Sequence, residues 1–140
     1  MQKTYHGSCH CNAVQFECEL DLAQGSTRCN CRFCKKSRFW FAFTKADNLR
    51  ITKGAEMLKD YQHTLPGKDA PFLHFQFCGH CGVRAFTRGG ALPQFGGEFY
   101  AVNLTSLDDA GDEELAATPI HYADGRGDQW NNDAPTCHYL

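Results

Sequence analysis

Seven of the nine cysteines in this 140-residue chain fall at short spacings: Cys9 and Cys11, then Cys29, Cys31 and Cys34, then Cys78 and Cys81. Gaps of one or two residues aim neighbouring sulfurs at a common centre, which is what a tetrahedral thiolate metal site requires. The competing reading is a disulfide framework, which belongs to exported chains with an even cysteine count. Here the count is odd, and the N-terminus, MQKTYHGSCHC, has no apolar stretch of the secretory kind. The sequence therefore points to metal, and to a cytoplasmic protein.

The cysteines divide into two groups of different chemistry. GSCHC and FCGHCG together offer Cys9, Cys11, Cys78 and Cys81, with 66 residues between Cys11 and Cys78. Four thiolates fill the coordination sphere of Zn²⁺, so this site is expected to be structural and to pin the N-terminal strand to a hairpin late in the chain. The gap is far longer than the roughly 15–20 residues of a zinc ribbon. Gly79 and Gly82 beside the second pair suit a tight turn that aims backbone amides at sulfur.

CNCRFCKKS places Cys29, Cys31 and Cys34 within six residues. Three ligands without an obvious fourth leave a position for water or substrate. A zinc holding three thiolates carries a net negative charge, so it is a poor Lewis acid toward a carbonyl. It is better suited to deprotonating an incoming thiol. Around the motif lie Arg32, Lys35, Lys36 and Arg38, either a cationic rim for the carboxylates of an acidic thiol or a solvated basic loop. Arg126, in HYADGRGDQW, could close over the site and bind a carboxylate, or could pair with the neighbouring aspartates within its own turn. His10 and His80 sit inside the metal knuckles and are candidate proton donors, although a residue between two ligands is expected to face solvent. Cys18 reads as a core residue. Cys137 is a possible fourth ligand on a terminal segment.

These residues need a scaffold, and the pattern around them is mainly β. Between Ala13 and Leu20 the apolar residues Val14, Phe16, Cys18 and Leu20 alternate with polar ones, the signature of a half-buried strand. Phe39–Thr44, Phe72–Phe77, Val83–Thr87 and Phe99–Leu104 also read as strands, with Gly and Pro at the joins. One helix is expected within Leu107–Ala117, shortened by Gly111 and stopped by Pro119. The length suits one domain spanning residues 1–140, and no linker or repeat divides it. A formal net charge of −2 gives no pull toward nucleic acid, and no apolar run approaches the roughly 20 residues of a membrane span.

GSCHCNAVQFE, CNCRFCKKS and FCGHCGVRAF, taken in order across residues 7–86, resemble the glutathione-dependent formaldehyde-activating enzyme family, which shares its domain with centromere protein V. VNLTSLDD and HYADGRGDQW look like the tail of one branch of that family. The resemblance implies an Mss4-like (β-tent) fold carrying two zincs. By position, Cys9, Cys11, Cys78 and Cys81 match the structural ligands, and Cys29, Cys31 and Cys34 match those of the catalytic zinc. It also implies carbon–sulfur lyase-type chemistry, in which glutathione adds to formaldehyde to give S-hydroxymethylglutathione. Mss4-like domains can also act as binding modules with both zincs structural. A fourth protein ligand closing the second cluster would favour that alternative.

Overall fold

Alternation decides the first buried strand: Val14, Phe16, Cys18 and Leu20 are each no more than 3% exposed. In a computed structural model describing residues 1–140, that segment becomes β2 (Gln15–Leu20). It pairs antiparallel with β1 (Lys3–Ser8) on one side and β5 (Leu49–Lys53) on the other, forming a three-stranded sheet. The remaining strands are β3 (Ser26–Cys29), β4 (Trp40–Lys45), β6 (Leu58–His63), β7 (Leu73–Cys78), β8 (Phe86–Leu92), β9 (Gly97–Asn103), β10 (Ile120–Asp124) and β11 (Gln129–Asp133). They build an eight-stranded sheet in the order β11-β10-β3-β4-β9-β8-β7-β6, antiparallel except where β3 runs parallel to β10. Neither sheet closes. The two helices are single short segments, α1 (Arg32–Ser37) and α2 (Asp112–Ala117). The fold is thus mainly β, as expected, and no helix is long and apolar enough to cross a membrane.

The core lies between the sheets. Phe16 of β2 meets Phe86 of β8 edge-on at 5.4 Å, and Trp40, Ala42 and Val102 of the larger sheet complete the contact with Leu104 just beyond β9. Such edge-to-face pairs add roughly 0.5–1.5 kcal/mol beyond burial alone. Two buried polar groups of the core find partners: Trp40 Nε1 donates to Ser26 Oγ at 2.7 Å, and the Tyr5 hydroxyl donates to Glu114 of α2. Cys18 belongs to this core, and burial pushes its thiol up to about 12, which leaves it an inert hydrophobe.

Two expected elements shift. The strand read at Val83–Thr87 begins only at Phe86, because the Val83 carbonyl accepts the Cys78 amide at 3.0 Å and residues 83–85 serve the cysteine knuckle instead. The helix read within Leu107–Ala117 shrinks to Asp112–Ala117. A short 3-10 turn (Leu104–Ser106) ends at Leu107, and Gly111 becomes the cap. Helix α1, inside the second cysteine motif, was not foreseen.

Candidate metal centres and the cleft beside the second

The first cluster joins the two sheets. Cys9 follows the last residue of β1, and Cys78 is the last residue of β7. The four sulfurs of Cys9, Cys11, Cys78 and Cys81 lie within 4.8 Å of one another, with Cys9–Cys11 at 3.6 Å and Cys11–Cys78 at 3.7 Å. A tetrahedral zinc with bonds of about 2.3 Å sets its sulfurs about 3.8 Å apart, so the quartet fits that ion without rearrangement. Backbone amides favour the thiolate form. The Val14 amide donates to Cys9 Sγ at 3.3 Å, while the His80 and Cys81 amides donate to Cys78 Sγ at 3.4 and 3.5 Å. The Val83 and Cys11 amides hold the Cys81 thiol down at about 6. Gly82, with φ of +80°, takes the left-handed turn that brings these amides round. His10 and His80 are both exposed.

The second cluster is local. Cys29 ends β3, Cys31 caps the N-terminus of α1 and Cys34 lies in its first turn. Their three sulfurs lie within 4.8 Å of one another, and no histidine, carboxylate or further cysteine joins the group; Cys137 stays outside it. The Cys31 amide donates to Cys29 Sγ at 3.3 Å, and the Cys34 amide to Cys31 Sγ at 3.4 Å. Hydrogen bonds from Cys29 and then Cys34 hold the Cys31 thiol down to about 2, whereas Cys34, which supplies a proton to the others, is pushed up. Sulfurs crowded in this way cannot all ionise without a cation among them, and a soft divalent ion is what the donor set suits.

Two adjoining clefts open beside this cluster. The smaller, of about 120 Å³, is walled by Cys29, Cys34, Phe39 and Tyr139, with Arg28, Lys35 and Arg38 around it. The larger, of about 550 Å³, is polar and lined by Asn30, Lys35, Asp124, Arg126 and Tyr139 among others. Lys35 and Tyr139 border both. Of the cations picked from sequence, Lys35, Arg38 and Arg126 gather at the clefts. Arg32 and Lys36 lie exposed on α1 outside both linings.

The HYADGRGDQW segment forms the hairpin of β10 and β11, and its position comes from the parallel pairing that sets Ala123 opposite Cys29. Asn30 locks it: Asn30 Nδ2 donates to Asp124 at 2.8 Å, and the Arg126 amide donates to Asn30 Oδ1 at 2.9 Å. The expected pairing of Arg126 with its neighbouring aspartates is not what holds the turn. Its guanidinium donates instead to the Asn30 carbonyl at 3.4 Å and to the Tyr139 hydroxyl at 3.0 Å.

The family model of the glutathione-dependent formaldehyde-activating enzyme matches residues 4–124, a span that holds all seven clustered cysteines. The chain belongs to this family. It is also similar to a solved protein structure from Rhodobacter sphaeroides, at 29% identity and a TM-score of 0.64, covering 82% of this chain and 98% of that one. A search of curated proteins gave no significant match. The formaldehyde-activating family is associated with enzymatic activity, and both cysteine groups of this member have the geometry to hold a metal ion.

Sequence reading missed two features of this site. Arg84 lies over Phe39, 3.7 Å from the ring centroid, with the Phe33 ring at 4.6 Å and the Phe75 ring at 5.2 Å. It donates to Ser37 Oγ at 3.1 Å, and burial lowers its pKa to about 10 against the pull of Cys34 and Cys31. A guanidinium there offsets the excess negative charge of three thiolates. The second feature is Gly125. A Cβ at that position would lie 2.5 Å from Cys29 Sγ and 2.6 Å from the Trp130 ring. Gly125→Ala is therefore expected to displace Cys29 and loosen metal at the second cluster alone. Titration with a mild chelator should release one metal earlier than in the parent protein and leave the other unchanged.

Proposed function

We propose that the protein binds two zinc ions, a structural one at Cys9, Cys11, Cys78 and Cys81 and a catalytic one at Cys29, Cys31 and Cys34, and that it adds glutathione to formaldehyde or another small aldehyde to give an S-hydroxymethyl thiol. The observation that carries this reading is a three-sulfur cluster with no fourth protein ligand, two of whose cysteines, Cys29 and Cys34, wall a cleft bordered by cations. When bound there, zinc supplies the means of keeping an incoming thiol deprotonated near neutral pH.

The chain's own residues supply the rest. Lys35 and Arg126 face the larger cleft, where they can bind the carboxylates of glutathione and aim its sulfur at the smaller pocket. Arg28 and Arg38 keep that pocket electropositive. Its volume, about 120 Å³, admits an aldehyde of a few heavy atoms and little else. Holding thiol and carbonyl side by side in this way removes much of the entropy cost of their encounter. Arg32, exposed on α1, could meet only the outer end of a long thiol.

Because thiols add to formaldehyde unaided in water, the deciding experiment combines metal content with binding and rate. Protein purified without added metal should carry two zincs per chain, one of them labile to a mild chelator. Removing the labile zinc should abolish both glutathione binding by calorimetry and any rate above the spontaneous reaction. Two inert zincs with no glutathione binding would favour a binding module instead.

A further inference from the structure

Thiolate addition to an aldehyde leaves an alkoxide that must take up a proton, and the smaller pocket limits what can provide one. No histidine or carboxylate side chain lines it. Its cysteines belong to the metal cluster, and arginine does not release its proton in proteins. Lys35 and Tyr139 remain, and both border the two clefts where thiol and aldehyde would meet. Resting on the thiol–aldehyde reading above, we infer that Tyr139 is the general acid that protonates the carbonyl oxygen during addition, and the base that removes that proton in the reverse direction.

Three contacts fit Tyr139 for this role. Arg126 Nη2 donates to its hydroxyl oxygen at 3.0 Å, so an oxygen lone pair is already engaged and the hydroxyl hydrogen is left to donate elsewhere. Lys35 Nζ lies 5.4 Å from the ring centroid, and with Arg126 it places two positive charges beside the phenolate that forms when the proton leaves. Arg38 Nη1 donates to the Tyr139 carbonyl at 3.3 Å, which fixes its backbone at the pocket. Lys35, by contrast, is exposed and has no partner that directs its proton.

The step balances. The sulfur electron pair forms the C–S bond, the C=O π pair moves onto oxygen, and that oxygen takes the Tyr139 hydroxyl proton. The phenolate then recovers a proton from solvent, replacing the one the thiol released on entry. In reverse, the phenolate takes the hydroxyl proton, the C=O bond reforms and the thiolate leaves.

The test measures exchange between free formaldehyde and its glutathione adduct by NMR, using the full metal-loaded chain and subtracting the spontaneous rate. Tyr139→Phe should lose roughly 100-fold or more of the enzymatic rate. Its glutathione affinity should stay within about twofold, and it should lose the alkaline fall in kcat/KM expected of the parent protein. A Tyr139→Phe protein that keeps the parental rate overturns the inference and leaves the enzymatic reading standing. So does one whose loss lies wholly in glutathione affinity, or a series in which Lys35→Met and not Tyr139→Phe removes the rate at saturating glutathione. A parent protein that gives no acceleration overturns both. Should Tyr139→Phe fail to fold, fluorotyrosine placed at position 139 keeps the hydroxyl and makes it more acidic. The alkaline limb should then move to lower pH, and an unmoved limb overturns the inference.

Discussion

Cys78→Ser is expected to unfold the protein rather than merely weaken it. Cys78 is buried at the end of β7 in the larger sheet, and its partner Cys9 is buried just past β1 in the smaller one. A metal held between them ties the two sheets together at one end of the core. A structural zinc bound by thiolates contributes roughly 10–16 kcal/mol to folding at neutral pH, whereas a domain of this size has a total stability of only about 5–15 kcal/mol. Most of the first figure is forfeited when one of four ligands becomes a buried hydroxyl, so the loss matches or exceeds everything the fold has in hand. Circular dichroism should show no cooperative melting transition, and zinc analysis should find the first ion gone. A variant that melts cooperatively within a few degrees of the parent would show that the quartet is not what joins the sheets.

Cys31→Ser should do the opposite, removing function while sparing the fold. Cys31 is half-buried on a loop, and its structural duty is to cap α1, where its sulfur accepts the Cys34 amide. Serine is among the best residues for that position, so the helix should keep its start. The metal keeps only Cys29 and Cys34, which is too few for a firmly held ion. The expected result is a melting curve close to the parent's, a second zinc lost to dialysis, and turnover lower by at least about 100-fold. Rate and zinc content retained together would mean that Cys31 is not a ligand.

The cysteines were the most readable part of this chain because metal coordination acts through local spacing. The pairs and the triplet are visible in sequence, and the structure gathers the same residues into the same two groups. The alternation from Val14 to Leu20 was equally direct, since one face of β2 is almost wholly buried. Helix α1 left no signal because six residues are too few to show a period, and the cysteines in and beside it read as ligands first. Strand β6 stayed hidden for another reason: five of its six residues are exposed at the sheet edge, so no apolar alternation marks it. The clefts were the least readable of all. They depend on β3 pairing with β10 from the far end of the chain and on Tyr139 lying against Arg126 and Arg38. Nothing local in RGDQW or CHYL announces either contact.

The unequal span of the two clusters sets the order in which a growing polypeptide can offer them. The triplet is complete once residue 34 has been made, and its sulfurs need only a short turn to meet. The quartet must wait for Cys81 and then close a loop in which Cys11 and Cys78 stand 67 positions apart, a larger entropic demand. During synthesis, any metal that binds is therefore offered the triplet first. The quartet that bridges the two sheets comes second, while the thiols of Cys9 and Cys11 wait for their partners.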